Sequence, residues 1–115
     1  MSDKELLELA AKATGGWLYD GTDGLCICNP TSRAKLWNPL VDDGDALRLA
    51  VALNLDILQE PVSSKSNAVE VEANIEGIEF QPWAWECRAP DPCAATRRAI
   101  VRAAAEIGKS NHGDK

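Results

Sequence analysis

The chain has 115 residues, a formal net charge of −6 and 45% hydrophobic residues. This length corresponds to one domain, and the hydrophobic fraction is large enough for a buried core, which excludes a chain that is disordered throughout. The apolar runs are much shorter than the roughly 20 residues of a membrane span, so we expect no transmembrane helix. The N-terminus lacks a basic stretch followed by an apolar one, so we expect no secretory signal and a cytoplasmic location.

Apolar residues at helical spacing predict three helices, over 3–14, 43–54 and 92–107. The first begins at a capping box, in which the Ser2 side chain accepts from the amide of Glu5 and the Glu5 carboxylate accepts from that of Ser2. The third begins at Asp91 and Pro92, since Asp is a common N-cap and Pro suits the first helical position. Gly108 is predicted to end the third helix.

The second helix follows an acidic stretch, in which Asp42 or Asp43 can cap the free amides at the helix start. Its buried face is predicted to consist of small and aliphatic side chains, Ala46, Leu49, Ala50 and Leu53. We expect Leu47 and Val51 to widen this buried stripe, and Arg48 to face solvent.

Short apolar runs and alternating patterns predict about five strands, over 17–19, 25–28, 56–58, 69–75 and 78–81. The first two form a hairpin, loops are predicted at 29–32 and 63–67, and the element order is α-β-β-α-β-β-β-α. We expect an α+β fold, with an antiparallel or mixed sheet of about five strands packed with three helices in a single layered α/β sandwich. The domain is predicted to cover 1–108, and 109–115 to form a polar C-terminal tail.

Four cysteines offer a candidate zinc site. One residue separates Cys26 from Cys28 and five separate Cys87 from Cys93. Structural zinc sites usually place about two to four residues between paired cysteines. We therefore favour reduced thiols that bind no metal, predict no cofactor, and keep zinc as the alternative.

Side chains for the common catalytic mechanisms are scarce. His112 is the only histidine and lies in the predicted tail, so general acid–base catalysis lacks its usual residue. The carboxylates lie at helix starts or on the polar side of a strand, where capping and solvation explain them. The glycines form no phosphate-binding loop. We therefore predict that the protein is not an enzyme.

Tryptophan accounts for four of the six aromatic residues. Packing in the core explains these side chains, because the chain has little other aromatic bulk. The alternative is a platform for a partner protein or a nucleotide, for which Trp37, Trp83 and Trp85 are the candidate binding residues. Trp83 and Trp85 share a face if their segment is extended. Trp37 and Trp85, which lie beside prolines or charged residues, are the two that we expect to be exposed.

Basic residues concentrate in the third helix, where the candidate binding residues for phosphate or an acidic protein are Arg97, Arg98 and Arg102. The alternative is a solvated helix face that pairs with the acidic segment 56–91, which has eight acids and two bases, a net charge of −6. We expect no nonspecific nucleic-acid binding by a chain of this charge, and no specific binding because no helix-turn-helix with a basic recognition helix is evident. A minor alternative for the acidic strand is imitation of a phosphate row by Glu70, Glu72 and Glu76.

Two segments, LWNPLVDDGDALRLAV over 36–51 and AATRRAIVRAAAEIG over 94–108, resemble small proteins of temperate, lambda-like bacteriophages and prophages of Gram-negative bacteria. The chain is similar to the phage ABA-sandwich family, named for a sheet between helical layers. The resemblance implies a phage accessory or early-region protein that acts in the host cytoplasm, and it supplies no catalytic residue.

The residues and the resemblance together predict a non-enzymatic protein that acts by protein–protein interaction, with a host or phage protein as its partner. The alternative is a small-ligand or nucleotide-binding module, such as a counter-defence sponge for a signalling nucleotide. The first function predicts an exposed patch of Trp and Arg side chains. The second requires such side chains to converge on a pocket.

Overall fold

The computed structural model describes residues 1–30, 32–60 and 67–112, with only the backbone of Ser32, Asn111 and His112. In these residues the chain forms three helices, α1 (Asp3–Ala13), α2 (Asp43–Ala52) and α3 (Pro92–His112). Its six strands are β1 (Trp17–Gly21), β2 (Gly24–Asn29), β3 (Ser32–Leu36), β4 (Asp56–Gln59), β5 (Ala68–Glu72) and β6 (Trp83–Cys87). The predicted α+β class is confirmed, and the order is α-β-β-β-α-β-β-β-α.

The strands form two three-stranded antiparallel sheets, so the prediction of one sheet of about five strands was wrong. The first sheet has the order β1-β2-β3 and the second has the order β4-β5-β6. Each sheet therefore pairs strands that follow one another along the chain. Such local pairing is favourable because closing a short loop costs less conformational entropy than joining distant segments.

The sixth strand, β3, occupies Ser32–Leu36, which includes the end of the predicted loop 29–32. Its side chains from Arg33 to Leu36 are all exposed, so the alternation of polar and apolar residues in this segment is short and does not mark a buried face. Pairing with β2 makes it a strand, and a bulge between Ile27 and Asn29 interrupts the register. Tertiary context decides such edge strands more than intrinsic preference does.

The partner of β5 is β6, and not the predicted strand 78–81. The chain between β5 and β6 forms a loop that the Gln81 side chain closes. Its oxygen accepts from the Ile75 N–H at 2.8 Å, and its nitrogen donates to the Ile75 carbonyl at 2.8 Å. Pro82 therefore precedes a strand instead of ending one. The predicted loop 63–67 lies outside the described residues except for Asn67.

The predicted helix starts are confirmed. The Glu5 N–H donates to the Ser2 hydroxyl at 3.1 Å, and the Ser2 N–H donates to the Glu5 carboxylate at 2.9 Å. Asp42 accepts from the Asp45 N–H at 2.8 Å at the start of α2, and Asp91 accepts from a backbone N–H in the first turn of α3. These acceptors satisfy amides that have no partner within the helix.

The predicted buried stripe of α2 is confirmed in part. Ala46, Leu49 and Ala50 are buried, whereas Leu47 is 59% exposed and Val51 is 72% exposed. Helix α2 packs against α3, and this contact covers one of its sides. Leu47 borders an open groove between α2 and α3, and Val51 is exposed, so the buried stripe is narrower than predicted.

The long helix α3 packs against α1, α2, β5 and β6 and joins them into one core. Gly108 lies inside α3, where a Cβ atom would overlap the carbonyl group of Leu9. The prediction that Gly108 ends the helix was therefore wrong, because this glycine allows α1 to approach α3 closely. The helix continues into the predicted tail as far as His112, and 113–115 lie outside the described residues. None of the described helices has the length and apolarity needed to cross a bilayer.

Candidate functional site

The tryptophans lie either in the core or on the outside of a sheet. Trp37 is only 6% exposed, and its backbone N–H donates to the Leu25 carbonyl at 2.9 Å. The prediction that Trp37 is exposed was wrong, since this contact continues the pairing of β3 with β2 and brings the indole into the core. Trp17 on β1 and Trp83 and Trp85 on β6 are each about half exposed, at 53%, 51% and 50%. Trp85 is exposed as predicted, but no more than Trp17 and Trp83 are.

Arg97 joins α3 to the start of α2. Its Nε donates to the Leu40 carbonyl at 2.9 Å, and its Nη1 lies 2.6 Å from an Asp43 carboxylate oxygen. The Arg97 side chain is only 18% exposed. Its hydrogen-bonding capacity is therefore directed toward the protein and not toward a ligand in solvent.

Arg98 and Arg102 join α3 to β6. Arg102 donates to the Trp85 carbonyl at 2.9 Å and to the Glu86 carboxylate at 2.6 Å. Arg98 lies 3.8 Å from the same Glu86 carboxylate and 3.0 Å from that of Asp3. The interpretation of these arginines as partners of acids in 56–91 is thus supported for Arg98 and Arg102. The arginines and the exposed tryptophans do not form one patch.

The two sides of β6 have different surroundings. Ala84 is buried and Glu86 contacts the arginines of α3, so Trp83 and Trp85 lie on the opposite, outer face of the second sheet. The register across this sheet forms two rows on the outer face, Asp56–Glu72–Trp83 and Leu58–Glu70–Trp85. We call these six residues the aromatic–acidic face.

The carboxylates of the aromatic–acidic face, Asp56, Glu70 and Glu72, take part in none of the ion pairs found among the described residues. An open hollow of about 180 Å³ on this face is lined by Glu70, Val71, Glu72 and Trp83. Aromatic surface and negative charge therefore lie side by side. This combination can attract a cation electrostatically and cover its apolar portion.

The first sheet also exposes aromatic residues on its outer face, but the residues paired with them are uncharged. Trp17 lies opposite Cys28, and Tyr19 lies opposite Cys26, which pairs in turn with Leu36. We call these five residues the uncharged aromatic face. The inner side of the same sheet contributes to the core through Leu18, Leu25 and Ile27.

A groove of about 340 Å³ lies between α2, β4 and the start of α3, with Leu47 and Ile57 on its walls. Its charged members, Asp43 and Arg97, pair with each other. Cys93 also lines this groove, and all four cysteines are free thiols. Within the described residues no group of three or more His, Cys, Asp or Glu side chains is placed to hold a metal ion. The zinc alternative therefore receives no support from this part of the chain.

Comparisons with protein-family models, with curated proteins and with solved structures gave no match. The resemblance to phage ABA-sandwich proteins therefore stays a prediction. Sequence reasoning identified Trp83 and Trp85 as one feature and the alternation of Glu70 and Glu72 as another. The pairing of β5 with β6 joins them, and the predicted strand 78–81 had concealed that pairing.

Proposed function

We propose that this protein acts by binding another protein, without catalysing a reaction, and that the aromatic–acidic face is its contact surface. The observation that carries this proposal is the pair Trp83 and Trp85, both half exposed on an edge strand whose other side already packs on α3. Tryptophan side chains contribute strongly to protein interfaces when a partner covers them. Their exposure here leaves that apolar area open to a partner.

The strand that carries these tryptophans is held in place from two directions. β6 pairs with β5 from Ala68 opposite Cys87 to Glu72 opposite Trp83. On the other side, Arg102 bonds the Trp85 carbonyl. A surface that is already ordered loses little conformational entropy on binding, which favours its use as an interface.

The resemblance to phage proteins makes a host or phage protein in the bacterial cytoplasm the partner that we propose. The nucleotide-binding alternative has weaker support, because recognition of phosphate depends on available basic groups. Arg97, Arg98 and Arg102 are instead paired with carboxylates of the same chain.

Site-specific photo-crosslinking tests the proposal. The crosslinking residue p-benzoylphenylalanine replaces Trp85 in one variant and Trp17 in a matched control, since the two indoles are equally exposed. We expect a protein that crosslinks from position 85 in bacterial lysate and not from position 17. The purified partner should then bind the unmodified chain and lose affinity for the Trp85→Ala variant. Equal crosslinking from both positions, or none from position 85, would contradict the proposal.

A further inference from the structure

We propose that the partner segment is cationic and that it places an Arg or Lys side chain in the hollow between Trp83 and the carboxylates of Glu70 and Glu72. This inference rests on the proposed function, because it assigns a partner class to the same aromatic–acidic face. It goes further by naming the charge and the spacing that the partner must present.

The first row of the face supplies the cation site. Glu72 lies directly opposite Trp83 on the neighbouring strand, and Asp56 lies directly opposite Glu72. Side chains in such antiparallel pairs have Cβ atoms about 5 Å apart. A cation within about 6 Å of the Trp83 ring centre is attracted by the ring, and here it also comes within reach of the Glu72 carboxylate. One bound cation thus gains two favourable contacts at once.

The second row supplies an apolar site. Trp85 and Leu58 lie at its two ends, with Glu70 between them, and both apolar side chains are at least half exposed. The two rows are two residues apart along each strand, a separation of about 7 Å. The same separation joins residues i and i+2 of an extended chain. The geometry therefore fits an extended segment with a cation and, two positions away, an aliphatic residue.

Charge favours this occupant over two others. The segment 56–91 has a net charge of −6, and the face has no basic partner among the described residues. A second copy of the chain would bring another −6, and a nucleic acid would bring its phosphates, so both would be repelled. A cationic peptide segment would be attracted.

Indole signals in nuclear magnetic resonance spectra of the full ¹⁵N-labelled chain test this inference. The probe is a blocked nine-residue peptide with leucine at the centre, arginine two positions away on each side, and serine elsewhere. The control peptide has citrulline, which is uncharged and nearly the same shape, in place of arginine. We expect the Trp83 and Trp85 signals to move with the arginine peptide while those of Trp17 and Trp37 stay in place. The citrulline peptide should bind at least about tenfold more weakly.

Paired variants assign the charge effect to this face. Glu70→Gln with Glu72→Gln should weaken the arginine peptide about tenfold, and 500 mM salt should do the same. The control, Glu76→Gln with Glu79→Gln, makes the same change in net charge in the exposed loop between β5 and β6 and should leave the affinity within about twofold.

Three results would overturn the cationic assignment: equal binding of the citrulline peptide, equal movement of the Trp17 signal, or movement of the Trp83 and Trp85 signals on diluting the protein alone, which indicates a second copy.

The proposed function fails differently. A protein that crosslinks from position 85 and binds the Glu70→Gln, Glu72→Gln variant unchanged would support the proposed function and overturn this inference. Binding of the arginine peptide without any crosslinked protein would support cation recognition and count against the proposed function.

Discussion

The tryptophans on the outer faces of the two sheets are exposed to similar fractions, but the two faces differ in charge. On the first sheet, Trp17 is 53% exposed and its cross-strand neighbour is Cys28. On the second sheet, Trp83 is 51% exposed and its cross-strand neighbour is Glu72. Both faces lie opposite a side that packs into the core. The exposed tryptophans alone therefore do not distinguish the two faces, whereas the neighbouring carboxylates do.

The charge difference between the two faces changes which partners each face can bind. An uncharged aromatic surface can be covered by any apolar surface of matching shape, so exposure alone says little about its partner. A carboxylate beside an indole excludes anionic partners and favours cationic ones, because like charges at an interface are unfavourable. Under the proposed function, specificity on the second sheet would come from the strand register, which places acids of β4 and β5 beside the tryptophans of β6.

One core supports both sheets. Gly108→Val tests this support, and it is the substitution with the largest expected effect. A valine side chain at position 108 cannot fit against the backbone of Leu9, so α1 and α3 must separate. We expect a loss of at least about 2 kcal/mol in the free energy of unfolding, measured by urea denaturation. The neighbouring exposed Lys109→Ala should change it by less than about 0.5 kcal/mol. A small effect of Gly108→Val would show that the sheets do not depend on this helix contact.

Arg102→Ala should act on the second sheet more than on the first. It removes the bonds to the Trp85 carbonyl and to Glu86, whose remaining cation, Arg98, lies 3.8 Å away. Arg102 is partly exposed, so solvent reduces the loss to about 1 kcal/mol. Amide hydrogen exchange should accelerate in β6 and stay unchanged in β1. The control, Arg48→Ala, removes a side chain that is 67% exposed and pairs with Asp45 within α2, and it should cost less than about 0.5 kcal/mol.

Ser2→Ala should affect the first sheet more than the second. The Ser2 hydroxyl caps α1, and Lys4 in the first turn of α1 pairs with Asp20 of β1 at 2.8 Å. Loss of the cap should lower the free energy of unfolding by about 1 kcal/mol. The Trp17 indole signal should shift while those of Trp83 and Trp85 do not. Uniform shifts at all three indoles would mean that the two faces respond as one unit.

The pH dependence of this end of the molecule follows from Glu5. The Ser2 backbone N–H donates a hydrogen bond to the Glu5 carboxylate, and this bond lowers the pKa of Glu5 below its ordinary value of 4.5. A carboxyl group whose pKa is lowered by folding stabilises the folded state at pH values above the pKa that the group has in the unfolded chain. This stabilisation is lost as the pH falls through the pKa that it has in the folded state. The difference in unfolding free energy between the wild-type chain and Glu5→Gln should therefore shrink from pH 7 to pH 2. A difference that is constant with pH would contradict the assignment.

The sequence allowed some parts of this structure to be predicted and concealed others for physical reasons. Local signals sufficed at Ser2 and Asp42, because a cap needs only residues a few positions apart. Gly108 was misread, since a glycine that ends a helix and one that admits a neighbouring helix are identical in a single sequence. Only the approach of Leu9, a residue distant in sequence, separates the two roles.

The candidate site was concealed for a similar reason. Trp85 and Glu70 were each identified, but a one-dimensional pattern does not specify which strands pair. The arginines of α3 and the indoles were predicted from the sequence to form one patch, because both residue types are typical of binding surfaces. Alternation along β6 instead directs Glu86 toward α3 and Trp85 away from it.

Ionic quenching of tryptophan fluorescence tests the charge difference directly, with the smallest expected effect. The Trp17→Phe variant keeps the indoles of the aromatic–acidic face, and Trp83→Phe with Trp85→Phe keeps that of the uncharged face. Buried Trp37 is common to both and is poorly reached by quenchers. Carboxylates near an indole concentrate caesium and deplete iodide, so at low ionic strength the caesium-to-iodide quenching ratio should be roughly twofold higher in Trp17→Phe.

Comparing the two variants cancels the net charge of the chain, because it acts on both faces. Adding Glu70→Gln and Glu72→Gln to Trp17→Phe should lower its quenching ratio to that of the uncharged face, and 500 mM sodium chloride should remove the difference without any substitution. Equal ratios in the two variants at low salt would show that the carboxylates do not set the potential at Trp83 and Trp85. The two faces would then differ in composition but not in the partners that their charge can select.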